Sequence, residues 1–455
     1  METLNESADT PQCPQQVPLP EASASDGVSP GTIVAYLIGN ERAILKIAHC
    51  RNSVGLGALL VLSAGFAREY DGEDLLHEPW HLLIPHAASV VTAFLLYSLV
   101  RLIATGRTKT LPGFFAEFPA FLGLYWMTAP LAWIYAIPFE RRMSPGDAMH
   151  WNLQLLGYVS VWRVVLITRV IYVVYGARPL WTVIVTVLLF GDAVMLAAIR
   201  FLPVPVLHFM GGVRLTESES ILQMNTMVVQ LIGYPCLLLL LLTQIAVFVV
   251  NVPWSPIDFY STGHVRRSTW IVATLAVLMW LAVLPHTQPE QQRRHLVERK
   301  LLAGRISDAL RFMSAHTRTD FPPHWSPPPH IALSKSSPSI TDVITVVLSE
   351  PPADWVRDVY MEAFRRALPA VLTSHRIVND QDLLTYLNIL DQLPVQEWYS
   401  DDDWRSQEVT EFLQNLVSDK DRKLPPDVRS SLKRVVGKVD AMKALLRTQP
   451  APAVD

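Results

Sequence analysis

The feature that most constrains this chain is a succession of long apolar runs. A helix needs about 20 mostly apolar residues to cross about 30 Å of hydrocarbon. Five runs reach that length, at roughly 82–104, 113–137, 153–175, 179–200 and 226–251. A sixth, 270–286, is short but strongly apolar, with Trp270 and Trp280 near its ends. Two more segments read as half-spans or tilted spans: 53–67, and the stretch 201–212, which two prolines interrupt. The expected fold class is therefore all-α, a polytopic transmembrane helix bundle of about 6–8 spans followed by a soluble C-terminal helical domain.

Composition enters because the chain is not uniform. Only 17% of the 455 residues are charged, against about a quarter in globular proteins, and the charge lies mostly outside the apolar runs. A net charge of −3 gives no reason to expect a nucleic-acid partner. Cys13, Cys50 and Cys236 are odd in number and far apart, which argues against a disulfide framework or a thiolate metal site. Residues 1–30 are polar and rich in proline, so a disordered tail is expected; they lack the basic-then-apolar pattern of a cleaved signal. The expected organisation is a tail at 1–30, a multi-span domain at 31–289, a juxtamembrane amphipathic helix at 290–319, a proline-rich linker at 320–338 and a helical domain at 339–455.

Aromatic anchors fall near several run boundaries: Trp126, Trp133, Trp151, Trp162, Trp181 and Trp254. Orientation is read from Lys and Arg flanks. Arg42, Lys46 and Arg51 precede the first run, and Arg293, Arg294, Arg299, Lys300, Arg305 and Arg311 follow the last. Both ends are thus expected in the cytoplasm, which requires an even number of crossings. The loop after 53–67, REYDGEDLLHEPWHLL, is rich in acid with a single Arg68, and would face outward if 53–67 crosses.

Beyond the membrane region the spacing predicts helices. Residues 290–316 carry a stripe of Leu296, Leu301, Leu302, Ile306, Leu310 and Met313 opposite basic residues. Ser339 with Asp342 makes a capping box ahead of Ile340, Val343, Ile344 and Val347. Val356, Val359, Tyr360, Ala363 and Ala367 form a second stripe that Pro369 is expected to end. A third runs from Asp380 through Leu383, Leu387 and Leu390 to Pro394, and two more helices follow at 405–418 and 427–446.

Two constellations could carry chemistry. His77-Glu78-Pro79-Trp80-His81 matches H-E-x-x-H, in which two histidines on one helical face bind zinc and the glutamate polarises water; His86 lies five residues on. Pro79 conflicts with that reading, because proline inside a helix costs about 3 kcal/mol and is better placed in the first turn of the following helix. Zinc is the one cofactor the residues suggest, and only on this motif. The second constellation is Arg163 and Asp192, both near the middle of apolar runs, where a lone charge is costly. They stand at similar distances on either side of the connection near Gly176–Leu180, so a helical hairpin would bring them to one depth, and an ion pair is expected. Gln230 and Gln244 could line the same interior or join helices.

Neither a phosphate-binding G-x-x-x-x-G-K-[ST] nor a G-x-S-x-G elbow occurs. The functional reading is an integral membrane scaffold or regulatory protein, with lipid around its spans and a protein partner on a cytoplasmic C-terminal domain. The alternatives are a solute or proton-coupled transporter using Arg163 and Asp192, and a membrane zinc metalloprotease at His77, Glu78 and His81.

Overall fold

The computed structural model describes residues 27–105, 113–201, 217–250, 254, 257, 259, 263–329, 338–373, 380–399, 404–419 and 424–448. Among them the chain is helical without strands, and six helical segments are long and apolar enough to cross a membrane: Pro79–Ala104, Phe114–Arg141, Pro145–Val174, Leu180–Arg200, Ser220–Val249 and Arg267–Leu302. Most of the expected tail, and the stretch 202–216 that holds most of the proline-broken segment, lie outside the described residues. Residues 27–30 are built into the fold, however: the Val28 amide donates to His264 O at 2.9 Å and the Arg266 amide to Val28 O at 3.0 Å.

Two short helices that the apolar pattern does not announce come first, α1 (Pro30–Leu37) and α2 (Glu41–Ala48), capped by Ser29 and Asn40. The ambiguous segment becomes α3 (Ser53–Glu69), 17 residues long, and it is the most enclosed helix of the bundle. Its small residues explain how. A Cβ on Gly57 would stand 2.7 Å from Trp126 Cβ, so only glycine allows this close approach to α5 (Phe114–Trp126). The segment after α5 tightens into a 3-10 turn, Ala129–Ala136, opened by Pro130. Helix α3 packs against α5, α4 (Leu83–Thr105) and α9 (Arg267–Leu302), whereas α6 (Pro145–Val174), α7 (Leu180–Phe201) and α8 (Glu217–Val250) pack on one another. Leu231, Leu239 and Val249 of α8 point outward and are exposed, as a lipid-facing surface requires. Of the aromatic anchors, Trp151, Trp162 and Trp181 are exposed, whereas Trp126 and Trp254 are core residues.

The two ends of the bundle are defined by contacts. At one end Val28 and Val265, and Cys50 and Gly263, form isolated parallel bridges, and Arg169 Nη2 meets Glu41 at 3.0 Å. At the other, Tyr70 OH donates to Ala136 O at 3.1 Å and Thr287 Oγ1 to Tyr70 O at 2.6 Å. Helix α3 runs beside α9 between them, from Gly55 at the Trp270 ring to Tyr70 at the Trp280 ring, whose centroids are 5.3 Å apart. Arg42, Lys46 and Arg51 therefore lie at the opposite end of the bundle from Arg293, Arg294 and Arg299. The same contacts place the acid-rich loop after α3 on the same end as the C-terminal helices. Flanking charge is read along the sequence, whereas sidedness depends on whether a 17-residue helix runs the length of the bundle. At about 1.5 Å per residue it extends about 25 Å.

Helix α9 does not stop at the membrane boundary. It continues through Pro285 and Pro289 to Leu302, so the juxtamembrane helix expected at 290–319 is partly its continuation. The break falls at Gly304, with φ of +73°. There the Gly304 amide donates to Leu301 O at 2.8 Å and the Arg305 amide to Lys300 O at 2.9 Å, the paired bonds of a Schellman cap.

The C-terminal helices are α10 (Ile306–Ser314), α11 (Ile340–Ser349), α12 (Asp354–Thr373), α13 (Asp380–Gln392), α14 (Val395–Trp398), α15 (Trp404–Ser418) and α16 (Pro426–Thr448). They surround a second core separate from that of the bundle, in which Ile344, Tyr360, Phe364, Leu387, Leu413 and Val435 are fully buried. The Ser339–Asp342 capping box forms as the sequence predicts. Helix α12 passes through Pro369 instead of ending there, a correction to the expected boundary.

Candidate functional site: a polar clamp at one end of the bundle

The mid-membrane residues do not assemble as the hairpin argument predicts. Among the described residues no ion pair joins Arg163 to Asp192. The Arg163 guanidinium lies over the Tyr125 ring, 5.5 Å from its centroid, a cation–π contact on the α5 side of α6. Asp192 faces α8: a Cβ on Gly233 would lie 3.1 Å from Asp192 Oδ1, and Asp192 Oδ2 has no hydrogen-bond partner. Residue count along a hairpin sets depth, but about 100° of rotation per residue sets which neighbour a side chain meets, and here the two directions diverge. Gln244 is buried and accepts from Thr186 Oγ1 at 3.0 Å, joining α7 to α8. Gln230 is half-buried about four turns away on the same helix, so the two amides do not share a lining.

A buried charge pair exists one hairpin earlier. Arg101 Nη1 lies 3.4 Å from Glu117 Oε2, and Tyr97 OH bridges them, accepting from Arg101 at 2.9 Å and donating to Glu117 at 3.1 Å. Glu117 is 3% exposed. The same symmetric spacing, applied to the connection 106–112, points to this pair in the sequence.

The H-E-x-x-H residues do not lie on one helical face. Pro79 opens a 3-10 turn, Pro79–Leu82, and His77 stands before it. His77 Nδ1 bonds Asp74 Oδ2 at 2.7 Å. His81 Nε2 approaches Glu78 Oε2 at 3.5 Å. His86 has turned to backbone carbonyls, with Nδ1 on Leu82 O and Nε2 on Ala58 O, both at 3.1 Å. The three side chains that do converge are Glu73, Glu78 and His81, with one ligand atom of each within 4.8 Å of the others. Both carboxylates already meet side chains of α9: Arg294 Nη2 lies 2.7 Å from Glu73 Oε2 and His295 Nδ1 3.9 Å from Glu78 Oε1.

These contacts belong to a larger clamp that sequence reasoning missed. The loop 70–78 exposes a row of backbone carbonyls, and α9 presents polar side chains at helical spacing to receive them. Thr287 and Gln288 donate to Tyr70 O, Gln288 also to Glu73 O, Gln291 to Asp71 O, and Arg294 Nη1 to Gly72 O at 2.7 Å. One helix face thus satisfies a loop whose carbonyls would otherwise be buried without donors. Arg141 closes the flank with two bonds to Glu290, at 2.9 and 3.3 Å. The linker is seated here as well. Trp325 Nε1 donates to Glu298 Oε1 at 3.0 Å, and Trp325 stacks on the buried Phe321 with centroids 5.1 Å apart. The available signal was the run Thr287-Gln288-Gln291-Arg294, polar at spacings of one to four residues on the helix that leaves the membrane.

Beside the clamp lies a half-open cavity of about 500 Å³ whose lining includes Arg68, Asp71, Glu140, Arg141, Gln291 and Arg294. Burial, reinforced by the neighbouring Glu140, pushes the Asp71 carboxyl up to about 6. Compared with known proteins, the chain matches no family model, no curated relative and no solved structure.

Proposed function

We propose that this protein is a polytopic membrane scaffold or regulatory protein whose C-terminal helical domain is water-soluble, faces the cytoplasm and offers a partner-binding surface. One observation carries the reading: α9 belongs to both parts of the molecule. Its Ala273 and Leu284 are buried among membrane helices, and its Val297 and Leu301 belong to the C-terminal core. The clamp of loop 70–78 fixes it between them. A continuous, cross-braced helix holds a domain at a set position on the membrane, which suits a platform or a relay of conformational change. The cytoplasmic assignment rests on the six basic residues from Arg293 to Arg311 that follow the last span; with α3 counted as a crossing, the N-terminal helices then lie on the outer side.

The transporter reading has less support, since Arg163 and Asp192 face different helices. The metalloprotease reading has less support because His77 and His81 do not share a helical face.

A promiscuous biotin ligase fused to the C-terminus of the full chain tests the proposal. A scaffold predicts a reproducible set of labelled neighbours that is lost in an Arg294→Ala, Gln291→Ala chain at equal membrane abundance. Solute or proton flux in vesicles holding the purified chain, abolished by Asp192→Asn, would overturn it in favour of transport.

A further inference from the structure

Loop 70–78 and the turn after it bring metal-ligating side chains together beside α9. Glu73, Glu78 and His81 each place one ligand atom within 4.8 Å of the others. These side chains are 25–30% exposed, so an ion reaches them from water and they have room to close on it. His81 Nε2 stands 3.5 Å from Glu78 Oε2, beyond the about 2.7–3.2 Å of an ordinary N–H···O bond. Two ligands on one zinc ion, with bonds of about 2.1 Å, lie about 3.4 Å apart. The spacing of this pair is therefore that of ligands rather than of a donor and its acceptor.

Each carboxylate has one oxygen held and the other to give. Glu78 Oε1 faces His295 Nδ1 at 3.9 Å, which leaves Oε2 on the side of His81. Glu73 Oε2 is held by Arg294 at 2.7 Å, which leaves Oε1. An ionised carboxylate accepts at both oxygens, and ligating carboxylates are commonly fixed by an outer hydrogen bond of this kind. Arg294 and His295 thus orient the ligands without replacing the ion.

The local charge calls for a cation. Glu69 is near enough to Glu73 and His81 for both to act on it, and its own partner is Arg68 at 3.2 Å. Asp74 is fully buried and bonds His77 Nδ1 at 2.7 Å. Asp71 is set apart, with Glu140 and Arg141. Four carboxylates, Glu69, Glu73, Asp74 and Glu78, therefore stand against two guanidiniums, Arg68 and Arg294. With the histidines neutral, two negative charges remain, which is the charge a divalent ion offsets. An imidazole among the ligands selects zinc over magnesium or calcium, which take oxygen.

We propose that Glu73, Glu78 and His81 bind a zinc ion, with Arg294 and His295 of α9 fixing the two carboxylates. The ligand set differs from that of H-E-x-x-H: Glu78 ligates instead of polarising water, and His77 serves Asp74. The ion joins the acid-rich loop to the turn that leads into α4 and so tightens the clamp. The site goes beyond the scaffold reading and does not rest on it, because binding is measured on this chain alone.

The test titrates zinc into the purified, tag-free full chain in detergent at neutral pH, in competition with a chromophoric chelator. One ion per chain is expected, weakened at least about tenfold by His81→Ala and by Glu78→Gln. His150→Ala, at an exposed histidine outside the cluster, should leave the affinity unchanged. Glu78→Gln keeps the shape of the side chain and guards against a loss caused by misfolding. As a second readout, zinc should slow hydrogen exchange of amides 73–81 in the parent chain and not in His81→Ala. Less than one ion per chain, an affinity that His81→Ala and Glu78→Gln leave unchanged, or displacement of zinc by millimolar magnesium would overturn the proposal.

Discussion

Arg294 and Glu73 lie 221 residues apart in sequence and meet at 2.7 Å, while a second nitrogen of the same guanidinium holds the carbonyl of Gly72. This contact ties the loop leaving α3 to the helix that carries the chain into its C-terminal third. Charge-assisted hydrogen bonds of this kind contribute about 1.5–3 kcal/mol each. Arg294→Ala is therefore expected to loosen loop 70–78 before it unfolds the bundle. The measurement is hydrogen exchange of amides 70–78 in the purified chain, with α5 and α6 as internal references. Unchanged protection in the loop would mean that the other donors of α9 suffice.

The buried pair should behave unlike the two mid-membrane charges. Removing one partner of a buried ion pair costs about 3–5 kcal/mol, so Glu117→Leu should sharply lower thermal stability in detergent, and Arg101→Met with Glu117→Leu should recover part of the loss. A double-mutant cycle is expected to return a coupling on the order of 2 kcal/mol for Arg101 with Glu117. The same cycle on Arg163 and Asp192 should return close to zero, since they face different helices.

Sidedness can be read by cysteine labelling. In a chain whose Cys13, Cys50 and Cys236 are replaced by alanine, Arg51→Cys and Leu76→Cys, both at exposed positions, should react with an impermeant maleimide from opposite faces of the membrane. Leu76→Cys and Thr319→Cys should react from the same face. Labelling of positions 51 and 76 from one side would show that α3 does not cross.

The Asp71 carboxyl gives a pH dependence with a definite sign. Its value of about 6 lies above the ordinary 3.8, so between those values the folded chain holds a proton that the unfolded chain has released. Stability therefore falls as pH rises from about 4 to about 6 and levels off above that. The groups around it are Tyr70, which hydrogen-bonds it, Glu140 and Arg141 from the turn before α6, Arg68 from α3, Gln291 and Arg294 from α9, and His324. Melting in detergent should occur at a higher temperature at pH 4.5 than at pH 7.5. Asp71→Asn should flatten the part of that slope due to this residue, and an unchanged slope would assign it to another group.

Periodicity and length alone determined a good deal of this protein. Among the described residues six apolar segments are long enough to span a bilayer, and lipid leaves a helix few other ways to satisfy its backbone. The stripes Ile340–Val347 and Leu383–Leu390 are buried as their spacing requires, and the Ser339 cap is local chemistry that needs no distant partner. Prolines were less informative: Pro79 opens its turn as expected, but α9 and α12 run through Pro285, Pro289 and Pro369, since tertiary contacts offset a lost backbone bond. Tertiary structure alone decided which charges meet. Arg163 and Asp192 share a depth but not a direction, and a sequence records distance along a helix far better than the rotation that packing selects. It also decided that α3 runs beside α9, bringing an acid-rich loop against that helix, and that Gln291 donates to the Asp71 carbonyl. Those relationships join residues more than 200 positions apart, and no local pattern carries them.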